Sequence, residues 1–292
     1  MPGFSKIHQR LFLPLKIFIF IPLFIFPCRV NAYERIISLK PNLTEILFAL
    51  GVGDKIVGVT TYCDFPPQTK MIDKVADYIQ PNLEKLIAKN PDLIITSQEN
   101  SSRREIEFLI HKGYPVLTYE SDTFSHLRKT ILELGEKLNR GEAAQKLVGN
   151  LEDHLAFLKK KAEGISRSYK GGPPHALFVV GHEPLIVAGS QNLLNEMAPY
   201  LGVINLASES RLRYPTYSLE MLLQKKPDLI LDFSMGTEMS ENQQKRMLKW
   251  WRKFSDLPAV QNHRIFFLDF SKVRAGPRLA EELEKLLSVI YK

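Results

Sequence analysis

The sequence predicts an α/β fold of two Rossmann-like lobes with parallel sheets, joined by one long connecting helix. Short β-branched runs alternate with amphipathic stretches in each half of the chain. Between the halves, residues 123–165 read as nearly continuous helix. One helix-then-strand phrase also occurs twice. Residues 82–95 read NLEKLIAKNPDLII and residues 218–231 read SLEMLLQKKPDLIL, agreeing without gaps at eight of fourteen positions. A tyrosine stands six residues before the glutamate of each phrase, Tyr78 before Glu84 and Tyr214 before Glu220. The two phrases are read as the same element of each lobe.

Residues 1–32 stand apart from this pattern. Lys6, Arg10 and Lys16 precede an apolar run from Ile17 to Phe26, and Val30-Asn31-Ala32 offers a cleavage site. That is the layout of a cleaved signal peptide, on a run too short to span a membrane comfortably. One rival reading is an uncleaved anchor, which Pro22 and Pro27 interrupt. The other is lipidation at Cys28, to which Ile25-Phe26-Pro27 makes a poor approach. The expected domains are the signal peptide (1–32), an N-terminal lobe (33–139), the connecting helix (140–167) and a C-terminal lobe (168–292).

In the first lobe, RIISL (35–39) reads as a strand and NLTEILFAL (42–50) as a helix, with Asn42 and Glu45 spaced as a capping box. KIVGV (55–59) is a second strand. In TTYCDFPPQTK, Pro66-Pro67 forbids regular structure. Leu83–Lys89 is a short helix broken at Pro91, and DLIIT (92–96) a strand. Leu83, Leu86 and Ile87, like Leu219, Leu222 and Leu223 in the repeat, are expected to face the core and turn both glutamates outward. Arg103–His111 is a helix ending at Gly113, and PVLTY (115–119) a strand.

The helical stretch that follows has Gly135 and Asn139-Arg140-Gly141 as its weak points, and Leu147, Leu151, Leu155 and Leu158 form an apolar stripe. In the second lobe the order is HALFVV, a helix over Leu193–Leu201, the Leu219–Lys225 helix, DLILD, a helix over Glu241–Phe254, RIFFLD, and a last helix from Arg278.

Composition excludes several classes. The chain has 39 Lys and Arg against 32 Asp and Glu, and Lys6, Arg10, Lys16 and Arg29 of the basic set lie in the leader. The small surplus that remains does not point to nucleic acid. Of two cysteines, only Cys63 lies beyond the leader, so neither an internal disulfide nor a cysteine metal cluster is available to the mature chain. GVGDKIVG (51–58) follows a helix and precedes a strand, the reverse of a dinucleotide loop. The histidines are scattered without metal-ligand spacing, and nothing assembles a catalytic constellation.

An exported two-lobed α/β protein without a catalytic set most naturally binds a ligand in the cleft between its lobes. Ligands gather at loop tips beyond strand ends, which singles out Tyr62, Tyr78, His182 and Tyr214, with Arg274 as a cationic contact. Cys63, beside Tyr62, reads as a small buried filler rather than a metal ligand.

RIISLKPNLTEILFALGVGDKIVGVTTYCDFPP with PNLEKLIAKNPDLII resembles the periplasmic substrate-binding proteins of ABC importers for cobalamin, haem and iron-siderophores, in the class with a rigid helical backbone. The similarity covers essentially all of 33–292 and is greatest to the cobalamin-binding branch. The resemblance implies a periplasmic monomer with little lobe closure, no cofactor, cobalamin or a related corrinoid as ligand, and delivery to a dimeric ABC permease at the inner membrane. Under it, Tyr62 matches a tyrosine that contacts cobalamin, and Tyr78 and Tyr214 stand where aromatic cleft residues are found. Arg274 matches an arginine near the ligand, but the aspartate four residues upstream is Phe270 here.

Glu84 and Glu220 match two surface glutamates that dock into arginine pockets on the permease. Asn82 and Ser218 before them also read as N-caps, after which an acid favours the helix dipole. The alternative is the same role with haem or a ferric siderophore as ligand. An alternative of another class is an exported enzyme acting on a corrinoid or sugar, which needs a buried acid–base pair in the cleft.

Overall fold

The computed structural model describes residues 33–77, 80–120, 122–169, 171–234 and 240–292. Residues 1–32, with Cys28, and Tyr78 lie outside the described residues. In the first half, β1 (Ile36–Ser38), α1 (Pro41–Ala49), β2 (Ile56–Thr60), β3 (Lys74–Ala76), α2 (Leu83–Ala88), β4 (Leu93–Ser97), α3 (Gln98–Ser101), α4 (Arg104–His111) and β5 (Val116–Tyr119) follow in order. Their strands make a five-stranded sheet in the order β3-β2-β1-β4-β5, parallel at every pairing.

Helices α5 (Phe124–Lys137) and α6 (Gly141–Ser168) come next. The second half contains β6 (His175–His182), β7 (Leu185–Val187), α7 (Leu193–Met197), β8 (Ile204–Asn205), α8 (Leu219–Lys225), β9 (Leu229–Asp232), α9 (Glu241–Trp251), α10 (Pro258–Gln261), β10 (Ile265–Phe267) and α11 (Leu279–Ile290). Its sheet runs β10-β9-β6-β7, with β8 also on β6. Only the β6–β7 pairing is antiparallel. β3, β7 and β8 are additional to the strands expected from the sequence.

Strand periodicity divides the side chains between the two faces of each sheet. Ile36 and Ile95 enter a central core, while their neighbours Ile37 and Ile94 pack with Leu86, Ile106 and Leu109 on the outer face. Phe178 likewise joins the central core, whereas Leu177 and Val179 pack with Leu222, Ile230 and Trp251. The central core is continuous through both lobes, because the stripe Val148, Leu151, Leu155 and Leu158 of α6 and Leu279, Leu283 and Leu287 of α11 belong to it. Leu147 is only partly buried against it. At 28 residues, α6 is roughly 42 Å long.

The helical stretch breaks between α5 and α6 at Asn139-Arg140-Gly141, one of its two expected weak points. Asn139 takes a positive φ of 55° and ends α5, whereas Gly135 lies inside α5, where an added Cβ would collide with Ala144 of α6. The capping box expected from Asn42 and Glu45 is not formed. The N-cap is Lys40, with Pro41 at the first helical position, where a missing N–H costs nothing. Both side chains are instead turned toward the other half of the chain. The helix over 193–201 is also divided, into α7 and a 3₁₀ turn over Ala198–Leu201 that contains Pro199.

The repeated phrase folds identically in its essentials. Asn82 Oδ1 accepts from Lys85 N at 2.9 Å, and Ser218 Oγ accepts from Met221 N at 3.1 Å. Asn90 and Lys226 close their helices at positive φ. Asp92 then accepts from Arg35 N (2.9 Å) and Asp228 from His175 N (2.8 Å), each fixing the start of the neighbouring strand. The expected apolar face is narrower than the sequence implied. Leu86 and Leu222 are fully buried, but Ile87, Leu219 and Leu223 are exposed, because a helix of six or seven residues has room for little more than one buried contact.

Candidate functional site

A cavity of about 550 Å³ opens between the two lobes. The first lobe contributes Lys40, Asn42, Tyr62 and Glu99, and the second Leu193, Leu194, Tyr214, Phe270 and Arg274, with Asp122 between β5 and α5. Its place follows from strand order. In β3-β2-β1-β4-β5 the order reverses between β1 and β4, and chains leaving such a pair diverge to leave a crevice at their carboxyl ends. Lys40 follows β1 and Glu99 follows β4, and they face across it with Nζ and Oε2 2.9 Å apart.

Among the described residues three aromatic rings stand at the cavity, with residues 42% (Tyr62), 46% (Tyr214) and 39% (Phe270) exposed. The turn after β2 holds Tyr62, whose N–H donates to Thr60 Oγ1 at 3.3 Å. Around Tyr214, the carbonyls of Arg213 and Pro215 accept from Gly189 N (2.8 Å) and Val187 N (3.0 Å), so β7 and the turn after it fix this backbone. Phe270 packs edge-on against Phe233, which in turn lies parallel to Phe178 of β6. The residue that departs from the family pattern is thus a cavity wall, supported from the core of its own lobe.

Arg274 lines the cavity with Nη1 2.7 Å from Asp64 Oδ1 and 3.6 Å from Glu45 Oε1. Below it Arg278 holds the buried Glu45 in a fork, Nε at 3.0 Å and Nη2 at 2.8 Å. The hydrogen bond to Glu45 raises the Arg278 pKa further above its ordinary value, outweighing burial. Asn42 Nδ2 donates to Ala275 O at 3.1 Å. These contacts tie α1 and the loop after β2 to the segment entering α11, so the cavity floor is stitched from both lobes.

His182 is not part of this lining. Its side chain is buried, Nε2 lies 2.8 Å from Asp232 Oδ2, and its ring packs on Trp250 and Trp251. Asp232 is fully buried and also accepts from Trp251 Nε1 (2.9 Å) and Ser234 Oγ (2.6 Å). Burial pushes its pKa up, but the hydrogen bonds and charge of His182, with Ser234 and Trp251, hold it below the ordinary 3.8. The expected role of His182 as a cavity contact is therefore corrected to a buried pair inside the second lobe.

Cys63 is buried, with Sγ 3.2 Å from both Thr44 Oγ1 and Thr60 Oγ1, and does not reach the cavity. Among the described residues no group of three His, Cys, Asp or Glu is placed to hold a metal ion.

Glu84 and Glu220 are exposed at the starts of α2 and α8, outside the cavity lining. Sequence reasoning missed Lys40, Glu99 and Asp122. Each follows the carboxyl end of a strand, β1, β4 and β5, which is the signal that could have found them. Among the described residues no helix is long and apolar enough to cross a membrane.

Residues 36–271 match the model of a family described as periplasmic binding protein. The ABC transporter substrate-binding lipoprotein YvrC of Bacillus subtilis, itself uncharacterized, is 31% identical over 264 residues, 88% of this chain and 80% of that protein. The vitamin B12-binding protein of Vibrio cholerae is 29% identical over 259 residues, 88% of this chain and 89% of its own. A Staphylococcus epidermidis structure described as a possible iron-binding (periplasmic solute-binding) protein aligns with a TM-score of 0.78 at 28% identity, over 90% of this chain and 100% of its own. The periplasmic heme-binding protein RhuT of Roseiflexus aligns with a TM-score of 0.74 at 25% identity, over 88% and 98%.

Proposed function

The chain belongs to the periplasmic binding protein family, and from that premise we propose that it captures cobalamin or a related corrinoid between its lobes and delivers it to a dimeric ABC permease. The observation that carries this reading is the set of three exposed rings, Tyr62 from one lobe and Tyr214 and Phe270 from the other, around one cavity. Broad apolar faces on opposing walls suit a flat macrocycle, and polar groups between them suit a rim of amides. The vitamin B12-binding relative supports the choice of a corrinoid.

Haem is the second reading. It is favoured by the RhuT likeness and by the two tyrosines at the cavity, since a phenolate can ligate haem iron. Fluorescence titration of the purified protein against cyanocobalamin, cobinamide, haemin and a ferric siderophore tests both. Saturable binding of the corrinoids is expected. Binding of haemin alone, with a tyrosinate charge-transfer band, replaces the corrinoid by haem.

For delivery, Glu84 and Glu220 are the proposed contacts with the permease. Both are exposed and sit on different lobes that share one continuous core, so their separation is held nearly constant. Fixed spacing lets the second weak contact form at high effective concentration once the first is made. The Asn82 and Ser218 caps that position them would be present with or without a permease, so transport assays must separate the two roles.

A further inference from the structure

Among the described residues, both cations that line the cavity are matched by carboxylates. Lys40 pairs with Glu99 at 2.9 Å and Arg274 with Asp64 at 2.7 Å, while the lining carboxylate Asp122 pairs with Arg213 at 2.8 Å. The pairs have a direction. The side chains of Lys40 and Arg274 are 16% and 13% exposed, whereas those of Glu99 and Asp64 are 64% and 56% exposed. At both places the charge most open to solvent is negative.

On the reading of this cavity as a macrocycle site, we infer that Asp64 and Glu99 are specificity-determining counter-ions, which select a chelate without net negative charge. An amide-rimmed corrinoid fits that class, and a macrocycle with free carboxylates or an anionic ferric siderophore does not. An anionic group that takes Arg274 Nη1 displaces Asp64 from it, breaking a contact between the loop after β2 and the turn that follows β10 in the other lobe. The displaced carboxylate then repels the newcomer across a partly desolvated cleft, where the interaction is stronger than in bulk water. A neutral amide instead donates to Asp64 or Glu99 and leaves both ion pairs in place. Specificity of this kind comes from the element that repels the wrong ligand as much as from contacts to the right one. Phe270 fits the same scheme. It leaves the position four residues before Arg274 uncharged, so the carboxylate facing Arg274 comes from the opposite lobe.

The test compares ligands that differ only in carboxylate charge. One pair is cyanocobalamin against cyanocobalamin with a single side-chain amide hydrolysed to the acid, and the other is the dimethyl ester of haemin against haemin. The uncharged member should bind more tightly by about fivefold per carboxylate, the scale of one exposed ion pair. In the double variant Asp64→Asn, Glu99→Gln, that ratio should fall to about one or below. Equal or tighter binding of the acid by the unaltered protein, or a ratio unmoved in the double variant, overturns the inference. The two readings fail separately. If only the haem pair binds and the ester is preferred, the corrinoid identity falls and the charge selection stands. If the corrinoid binds and its acid binds as well, the charge selection alone falls.

Discussion

Glu45 is the buried carboxylate on which the floor of the cavity turns, and its removal gives the sharpest structural test. In Glu45→Ala, Arg278 loses both arms of its fork and Arg274 loses its contact at 3.6 Å. Taking one partner from a buried ion pair costs about 3–5 kcal/mol. The lower end applies here, because both guanidiniums keep something. Arg274 retains Asp64 at 2.7 Å, and Arg278 retains Glu282 at 3.8 Å and the face of Phe65, 3.8 Å from ring centre to Cζ. A loss of about 3 kcal/mol lowers the melting temperature by roughly 6–12 °C for a chain of this size. Lys245→Ala is the control, since it removes only an exposed pair with Glu241 and should change stability by about 0.5 kcal/mol or less. Circular-dichroism melts of the three proteins decide the matter. A Glu45→Ala protein melting within about 1 °C of the parent would refute the view that this pair fastens the lobes.

Tyr62→Ala and Tyr214→Ala each remove a broad face from the cavity and should weaken ligand binding by about tenfold or more, read by the same fluorescence titration. Unchanged affinity in both would put the ligand elsewhere. Glu84→Lys and Glu220→Lys should each cripple uptake in cells while affinity and melting temperature stay near those of the parent, and the double variant should be little worse than the worse single one. Normal uptake by the double variant would leave both glutamates as helix-start acids. Because the Asp232 carboxyl is depressed below 3.8 by its folded partners, its charge stabilises the fold above that pH. The contribution is lost as pH falls through the lower folded value. Acid unfolding of Asp232→Asn should therefore show a shallower slope below about pH 4. Cys63→Ser should leave the absorption spectrum of a bound chelate unchanged, whereas a shifted band would make the thiol a metal ligand.

Much of the molecule was legible because the relevant physics is short in range. Strand alternation at Ile36-Ile37 and Ile94-Ile95 needs only neighbouring residues to assign faces. The caps at Asn82 and Ser218 act over three residues, and the recurrence of the phrase around them revealed two like lobes without any contact map. The errors near α1 were also local. Pro41 sets the helix start at Lys40, and the reading from Asn42 and Glu45 matched a spacing while ignoring the better first-turn residue beside it. His182 shows a different failure. Its place after the expected strand HALFVV resembles that of Tyr62, but it is the last residue of β6, and the sequence could not show that Asp232 ends the adjacent strand and waits 2.8 Å away.

The sequence by itself determined the two α/β lobes, the long helix between them, the family, and the exposed tyrosine at 62. Tertiary structure alone decided how the cavity is charged. Arg274 meets a carboxylate 210 positions away in Asp64, and Arg278 meets one 233 positions away in Glu45. No periodicity or motif spans such distances. The pairings exist because the order β3-β2-β1-β4-β5 brings the loops after β1, β2 and β4 to one edge, and the shared core of α6 and α11 sets the second lobe against it. Local propensity fixes which way a side chain leaves its own backbone, and only the packing of distant elements fixes what it meets.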